Sequence, residues 1–153
     1  MRPIRPIQRT SLAAVAAVAA VVLGASGCGG DDGPSKSEFV GDANAICKRH
    51  YVKISAAASK VLAGGNLPSP REFGALAKGT IIPEYTAQID ELRDVEAPDD
   101  QSDAYRKWLD DSQALRDQLD RNPATIQQAQ ALKPVNDQAD RLGLSDQCHI
   151  GPG

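Results

Sequence analysis

Between residues 35 and 144 the apolar side chains return every three or four positions, and that period decides what the chain can become. Residues three or four apart share one face of an α-helix, whereas a half-buried strand needs strict alternation. Val40, Ala43, Cys47, Tyr51, Ile54, Ala58 and Val61 make a first stripe. Phe73, Leu76, Ala77, Ile81, Tyr85, Ile89 and Leu92 make a second, and Tyr105, Trp108, Ser112, Leu115 and Leu119 a third. Ile126, Ala129, Leu132, Val135, Ala139 and Leu142 make the fourth. No strand period and no Asn-Gly hairpin turn interrupts them, so the chain reads as mainly α.

Start and stop signals divide the stripes into helices. Ser35 with Glu38 three residues on is a capping box, in which each side chain satisfies a free amide of the first turn. Gly64-Gly65 suits the exit. Ser69, Pro70 and Glu72 open the second helix, which is expected to run to about Asp94. Pro83 lies inside it, and a proline ring clashes with the carbonyl four residues back, here Gly79, so a kink or break is expected between Gly79 and Pro83. A loop around Pro98 follows, with Asp99 or Asp100 expected to cap the third helix. Asn122-Pro123 opens the fourth, which carries Pro134 and ends at Gly143, with Leu144 folding back on its last turn. Four helices of roughly 20 to 28 residues with connections of about one to six residues fit antiparallel neighbours, an up-down four-helix bundle with kinked helices.

Ahead of these helices stand Arg2, Arg5 and Arg9, an apolar run from Leu12 to Leu23, and then Ala25-Ser26-Gly27-Cys28. A basic head, an apolar stretch of about a dozen residues and a small-residue exit are the parts of an export signal, and the stretch falls short of the ~20 residues that span a bilayer. No adjacent pair of arginines is present, which favours the general secretion route. Ala25-Ser26-Gly27-Cys28 resembles the lipobox of bacterial lipoproteins. That resemblance implies cleavage before Cys28 and lipidation of its thiol, through acyl chains such as palmitate. Residues 1–27 are then the signal peptide, 28–34 a flexible tether and 35–150 the helical domain. The protein would be held at the extracytoplasmic face of the cell membrane, on a Gly-, Asp- and Pro-rich tether with a reach of only ~15 Å.

All 20 acidic residues lie beyond Cys28 and three of the 17 basic ones lie before it, so the part after residue 27 carries a net charge of −6. Such a surface has no electrostatic route to nucleic-acid phosphates. The expected hold on the membrane is therefore the acyl group rather than a basic patch.

With Cys28 lipidated, Cys47 and Cys148 remain as an even pair in an oxidising compartment, and a disulfide is the default reading. The bundle order makes it feasible. Cys47 lies about 11 residues into the first helix, ~16 Å along its axis. Cys148 lies five residues past Gly143, and an extended tail covers a similar ~16 Å. The C-terminal tail can thus run back along the first helix and be stapled to it.

Other constellations have bland readings that outweigh the chemical ones. Cys47 with His50 and Cys148 with His149 offer four zinc-type ligands, but adjacent Cys148 and His149 fit tetrahedral coordination poorly and the compartment favours oxidation. His50 and His149, drawn together by the disulfide, could hold an adventitious metal. The Cys148-His149 end is similar to a haem attachment motif, yet Ser145 stands where its first cysteine belongs. Asp103, Asp110 and Asp117 share a face at seven-residue spacing, with Lys107 and Arg121 four residues after Asp103 and Asp117, the spacing of surface ion pairs. No Gly-x-Ser-x-Gly nucleophile and no phosphate-cradling loop is present. Tyr51, Tyr85, Tyr105 and Trp108 read as core filling; kinks at Pro83 and Pro134 could splay the helices enough to leave a cavity, but kinks without one are the commoner outcome.

Phe39 to Cys47, Leu92 to Pro98, and Leu142-Gly143-Leu144 followed by Cys148 are similar to stretches of the small, helical, cysteine-paired bacterial lipoproteins of unknown function. The expected protein is a lipid-anchored binding or interaction module without catalytic activity, resident cofactor or resident metal. Its partner would be an envelope protein or a small ligand, met at the end away from the lipid. A haem or metal carrier using the C-terminal Cys-His, and an envelope enzyme, are the alternatives.

Overall fold

The computed structural model describes residues 33–63, 65 and 68–151. The segment expected to be the export signal, Cys28 as the expected lipidation site, most of the expected tether, and Gly64 lie outside the described residues. Within them the elements are helix α1 (Lys36–Leu62), helix α2 (Pro70–Leu76), a π-helical turn (Ala77–Ile81) and helix α3 (Ile82–Leu92). Helix α4 (Asp99–Arg121), a 3-10 turn (Pro123–Gln127), helix α5 (Ala129–Leu142) and a second 3-10 turn (Asp146–Cys148) follow. The described chain is mainly helical and contains no strand.

Both capping boxes form. Glu38 N–H donates to Ser35 Oγ while Ser35 N–H donates to the Glu38 carboxylate, and Ser69 with Glu72 repeats the pattern. The cap of α4 differs from expectation: it starts one residue early, from Pro98, so Asp99 and Asp100 fall inside its first turn with no side-chain cap. Their charges still face the positive end of the helix dipole.

The second helix changes period rather than ending at its proline. Ile82 N–H donates to the Ala77 carbonyl five residues back, widening the turn just before Pro83, the residue with no N–H to give. The fourth helix corrects the expected single element. Asn122 and Gln128 are both non-helical, leaving Pro123–Gln127 as a 3-10 turn ahead of α5. Ile126 and Leu132, six residues apart and so about 120° apart on one continuous helix, are both buried on either side of the break at Gln128.

The core is filled from all these elements. Phe39 is fully buried and meets Tyr105 edge to face at 4.8 Å, and Tyr105 stacks on Trp108 at 5.7 Å. Tyr105 Oη donates to the Leu92 carbonyl at 2.6 Å, fastening α4 to the end of α3. On α1 the buried stripe is Phe39, Ala43, Cys47 and His50 rather than the expected one through Val40 and Tyr51. Tyr51 is 44% exposed, which corrects its assignment to core filling.

The tail folds back as its residues demand. Gly143 takes φ +82°, Leu144 N–H donates to the Ala139 carbonyl, and Leu144 is buried. This is the left-handed helix exit with its accompanying apolar contact. Ser145 N–H then donates to Asn44 Oδ1 on α1, at 2.8 Å. Cys148 is disulfide-bonded to Cys47, their α-carbons 4.9 Å apart. Beyond it, Asn136 clamps the Ile150 backbone through both N–H and carbonyl. Gly151 closes the described chain at φ +88°, where a Cβ would strike Leu132 Cδ1 and lie 3.4 Å from the Ile126 carbonyl oxygen. Gly151→Ala is therefore expected to destabilise by about 2 kcal/mol, from left-handed strain plus overpacking. Urea unfolding checks it, with the helical Gly74→Ala, whose added Cβ meets nothing within 4 Å, as the comparison expected to stabilise by about 0.5 to 1 kcal/mol.

Candidate ligand-binding cleft

The C-terminal half of α1 has no buried residue after His50, and its inner face opens on a cleft of about 370 Å³. Tyr51, Ile54, Ser55, Ala58, Val61 and Leu62 form one wall. They recur at helical spacing, so the second half of the first stripe is present but lines a cleft instead of packing shut. Phe73, Leu76, Ile81, Tyr85 and Gln88 form the facing wall, along the segment whose turn is widened ahead of Pro83. Ile126 and Gln127 contribute from the 3-10 turn, and Gln147, His149 and Gly151 from the stapled tail.

The lining is apolar with a few polar groups. Tyr85 is buried, and its hydroxyl has no hydrogen-bond partner among the described residues. Burial pushes its phenol well above the ordinary range, so it stays neutral at every physiological pH. Gln88 is buried beside it, its Nε2 3.7 Å from the Cys47 sulfur. His149 Nε2 lies 2.8 Å from Asp140 Oδ1. Cavities of this size with sparse polar groups are the usual form of small-molecule sites.

Next to the cleft, a polar cluster ties α1 to α3. His50 is buried, with Nδ1 2.7 Å from Glu84 Oε2 and Nε2 3.2 Å from Glu91 Oε1. Both contacts are hydrogen bonds together only when both ring nitrogens carry a proton. Lys53 also donates to Glu84, and Arg49 to Glu91. Burial alone would raise the Glu84 carboxyl, but the hydrogen bonds from Lys53 and His50 together outweigh it and hold it below the ordinary 4.5. Arg49, and after it His50, hold the Glu91 carboxyl below the same value.

A carboxyl depressed in the folded state contributes stability that is complete above its unfolded value and is lost as pH falls through the folded one. The fold is thus expected to weaken on acidification below about 4.5. Urea midpoints at pH 7, 5 and 3 check this, and Glu84→Gln should flatten the acid limb.

Each histidine contacts carboxylates: His50 those of Glu84 and Glu91, and His149 that of Asp140. Both cysteine sulfurs are in the disulfide, which leaves no thiolate on Cys47 or Cys148 for zinc and no thiol for a haem thioether. Asp140, Asp146 and His149 do place one donor atom each within 4.8 Å of one another, with both carboxylates exposed. The acidic face of α4 is a solvated one, but with other partners than the spacing suggested. Asp103 pairs with Arg106 instead of Lys107, and Asp117 with Arg116 instead of Arg121. Lys107 turns to Asp111, which also accepts from Gln138 on α5.

Of the two prolines, Pro83 adjoins the facing wall of the cleft, whereas the helix that carries Pro134 contributes nothing to its lining. Nothing in the period of α1 distinguishes a stripe that packs against a helix from one that faces open space.

No protein-family model matches the chain, and no curated protein or solved structure matches it. Among the described residues no helix is long and apolar enough to cross a membrane.

Proposed function

We propose that this chain is a lipid-anchored extracytoplasmic binding module, an up-down helical bundle that presents a small-molecule cleft away from the membrane. The observation that carries the binding role is the apolar cleft between α1 and the α2 to α3 segment, with the unpartnered Tyr85 hydroxyl in its wall. The anchor rests on Ala25-Ser26-Gly27-Cys28.

The direction of the cleft rests on neighbours. Gly143 lies beside Lys36 and Val40, and Gly33 beside the Ala97 carbonyl, so the tether would leave from the end where α5 finishes and α4 begins. Val61 and Leu62 in the cleft wall belong to the other end of α1. No catalytic role is proposed.

Native mass spectrometry of the full chain released from its own membranes tests the reading. A bound small molecule is expected on the wild-type protein and is expected to be absent from Ala58→Trp, whose indole fills the cleft. Equal occupancy of both proteins, or an empty wild type, would refute the binding role.

A further inference from the structure

We infer that the cleft takes a neutral, apolar molecule of aliphatic character rather than a charged one, an inference that rests on the reading of the cleft as a binding site. The wall from Tyr51 to Leu62 rises about 16 Å along α1, a length that an extended aliphatic chain can follow.

The chemistry of the walls argues for neutrality. No Lys, Arg, Asp or Glu lines the cleft among the described residues, and the His149 ring is already turned to Asp140. A buried charge without a partner is strongly disfavoured, so an ionic ligand would have to keep its head group in water. The rim is apolar as well. Tyr51 and Leu62 are 44% and 50% exposed, and a chain lying between them would cover apolar surface that otherwise faces solvent.

The full-length chain in lipid nanodiscs, labelled with a photoactivatable dodecanol analogue, provides the test. Label is expected on peptides spanning Tyr51 to Leu62 and Phe73 to Tyr85, half-saturating on the order of 10 μM. Unlabelled dodecanol should displace it, while dodecyltrimethylammonium should compete at least ~10-fold less well. Ala58→Trp, and separately Tyr51→Lys at the exposed rim, should each lose most of the label while keeping the helical circular dichroism of the parent. Equal competition by the cation would overturn the ligand class. If native spectra also show an occupant that Ala58→Trp loses, that result leaves the binding role standing. Labelling outside the cleft, or labelling unchanged in both variants, would overturn the site for this ligand, and an empty native protein would remove the binding role with it.

Discussion

Removal of the Cys47–Cys148 bond is expected to lower the stability by about 4 to 5 kcal/mol. The two cysteines are 101 residues apart in sequence, so the crosslink closes nearly the whole described domain into one loop. Confining a loop of that length removes about 4.7 kcal/mol of conformational entropy from the unfolded chain. Against a total of about 5 to 15 kcal/mol for a domain this size, the bond is a large share of what keeps it folded. It also governs the cleft, because Gln147, His149 and Gly151 are held in its wall by the same staple. Thermal unfolding with and without reductant should differ by on the order of 15 °C. The Cys47→Ala, Cys148→Ala double variant should match the reduced protein and ignore reductant. A melting curve indifferent to reductant would show that the tail is held by Asn44, Asn136 and Leu144 alone.

Phe39→Ala is expected to cost about 4 kcal/mol, the loss of a fully buried aromatic together with the cavity it leaves. The site cannot collapse easily. Phe39 sits one turn into α1 and packs edge-on against Tyr105, which is fixed in turn by its hydrogen bond to the Leu92 carbonyl and by Trp108. Val40→Ala, a partly buried neighbour on the same helix, should lose less than about 1.5 kcal/mol. Denaturant midpoints for the two variants test the assignment of the buried face. A larger loss at Val40 than at Phe39 would return the stripe to the register read from sequence.

That contrast shows how far the sequence was legible. Four helical regions, both capping boxes, the Gly143 exit and the cysteine pair could be read directly, because each depends on local chemistry or on simple residue counting. The buried face of α1 differs by one residue at its ends from the apolar stripe because Val40 and Phe39 are both apolar, and because Tyr51 is the more apolar of the His50-Tyr51 pair. His50 was passed over as a core residue because a histidine is buried only where carboxylates meet it, and Glu84 and Glu91 lie 34 and 41 residues away. The break at Gln128 has no glycine or proline to announce it. The ion pairs on α4 went to other partners because a flexible arginine or lysine has several carboxylates within reach, and spacing alone does not choose among them. The cleft was the least legible feature, since it arises from what α1 does not pack against.

The proposed compartment underlies the anchor, the oxidised cysteines and the choice of ligand, and one number tests it. The intact denatured mass of the chain purified from membranes of its own cells should correspond to a protein beginning at Cys28, carrying diacylglyceryl on that residue and lacking two hydrogens at Cys47 and Cys148. A mass that retains Met1, or an unmodified Cys28 with two free thiols elsewhere, would contradict the account.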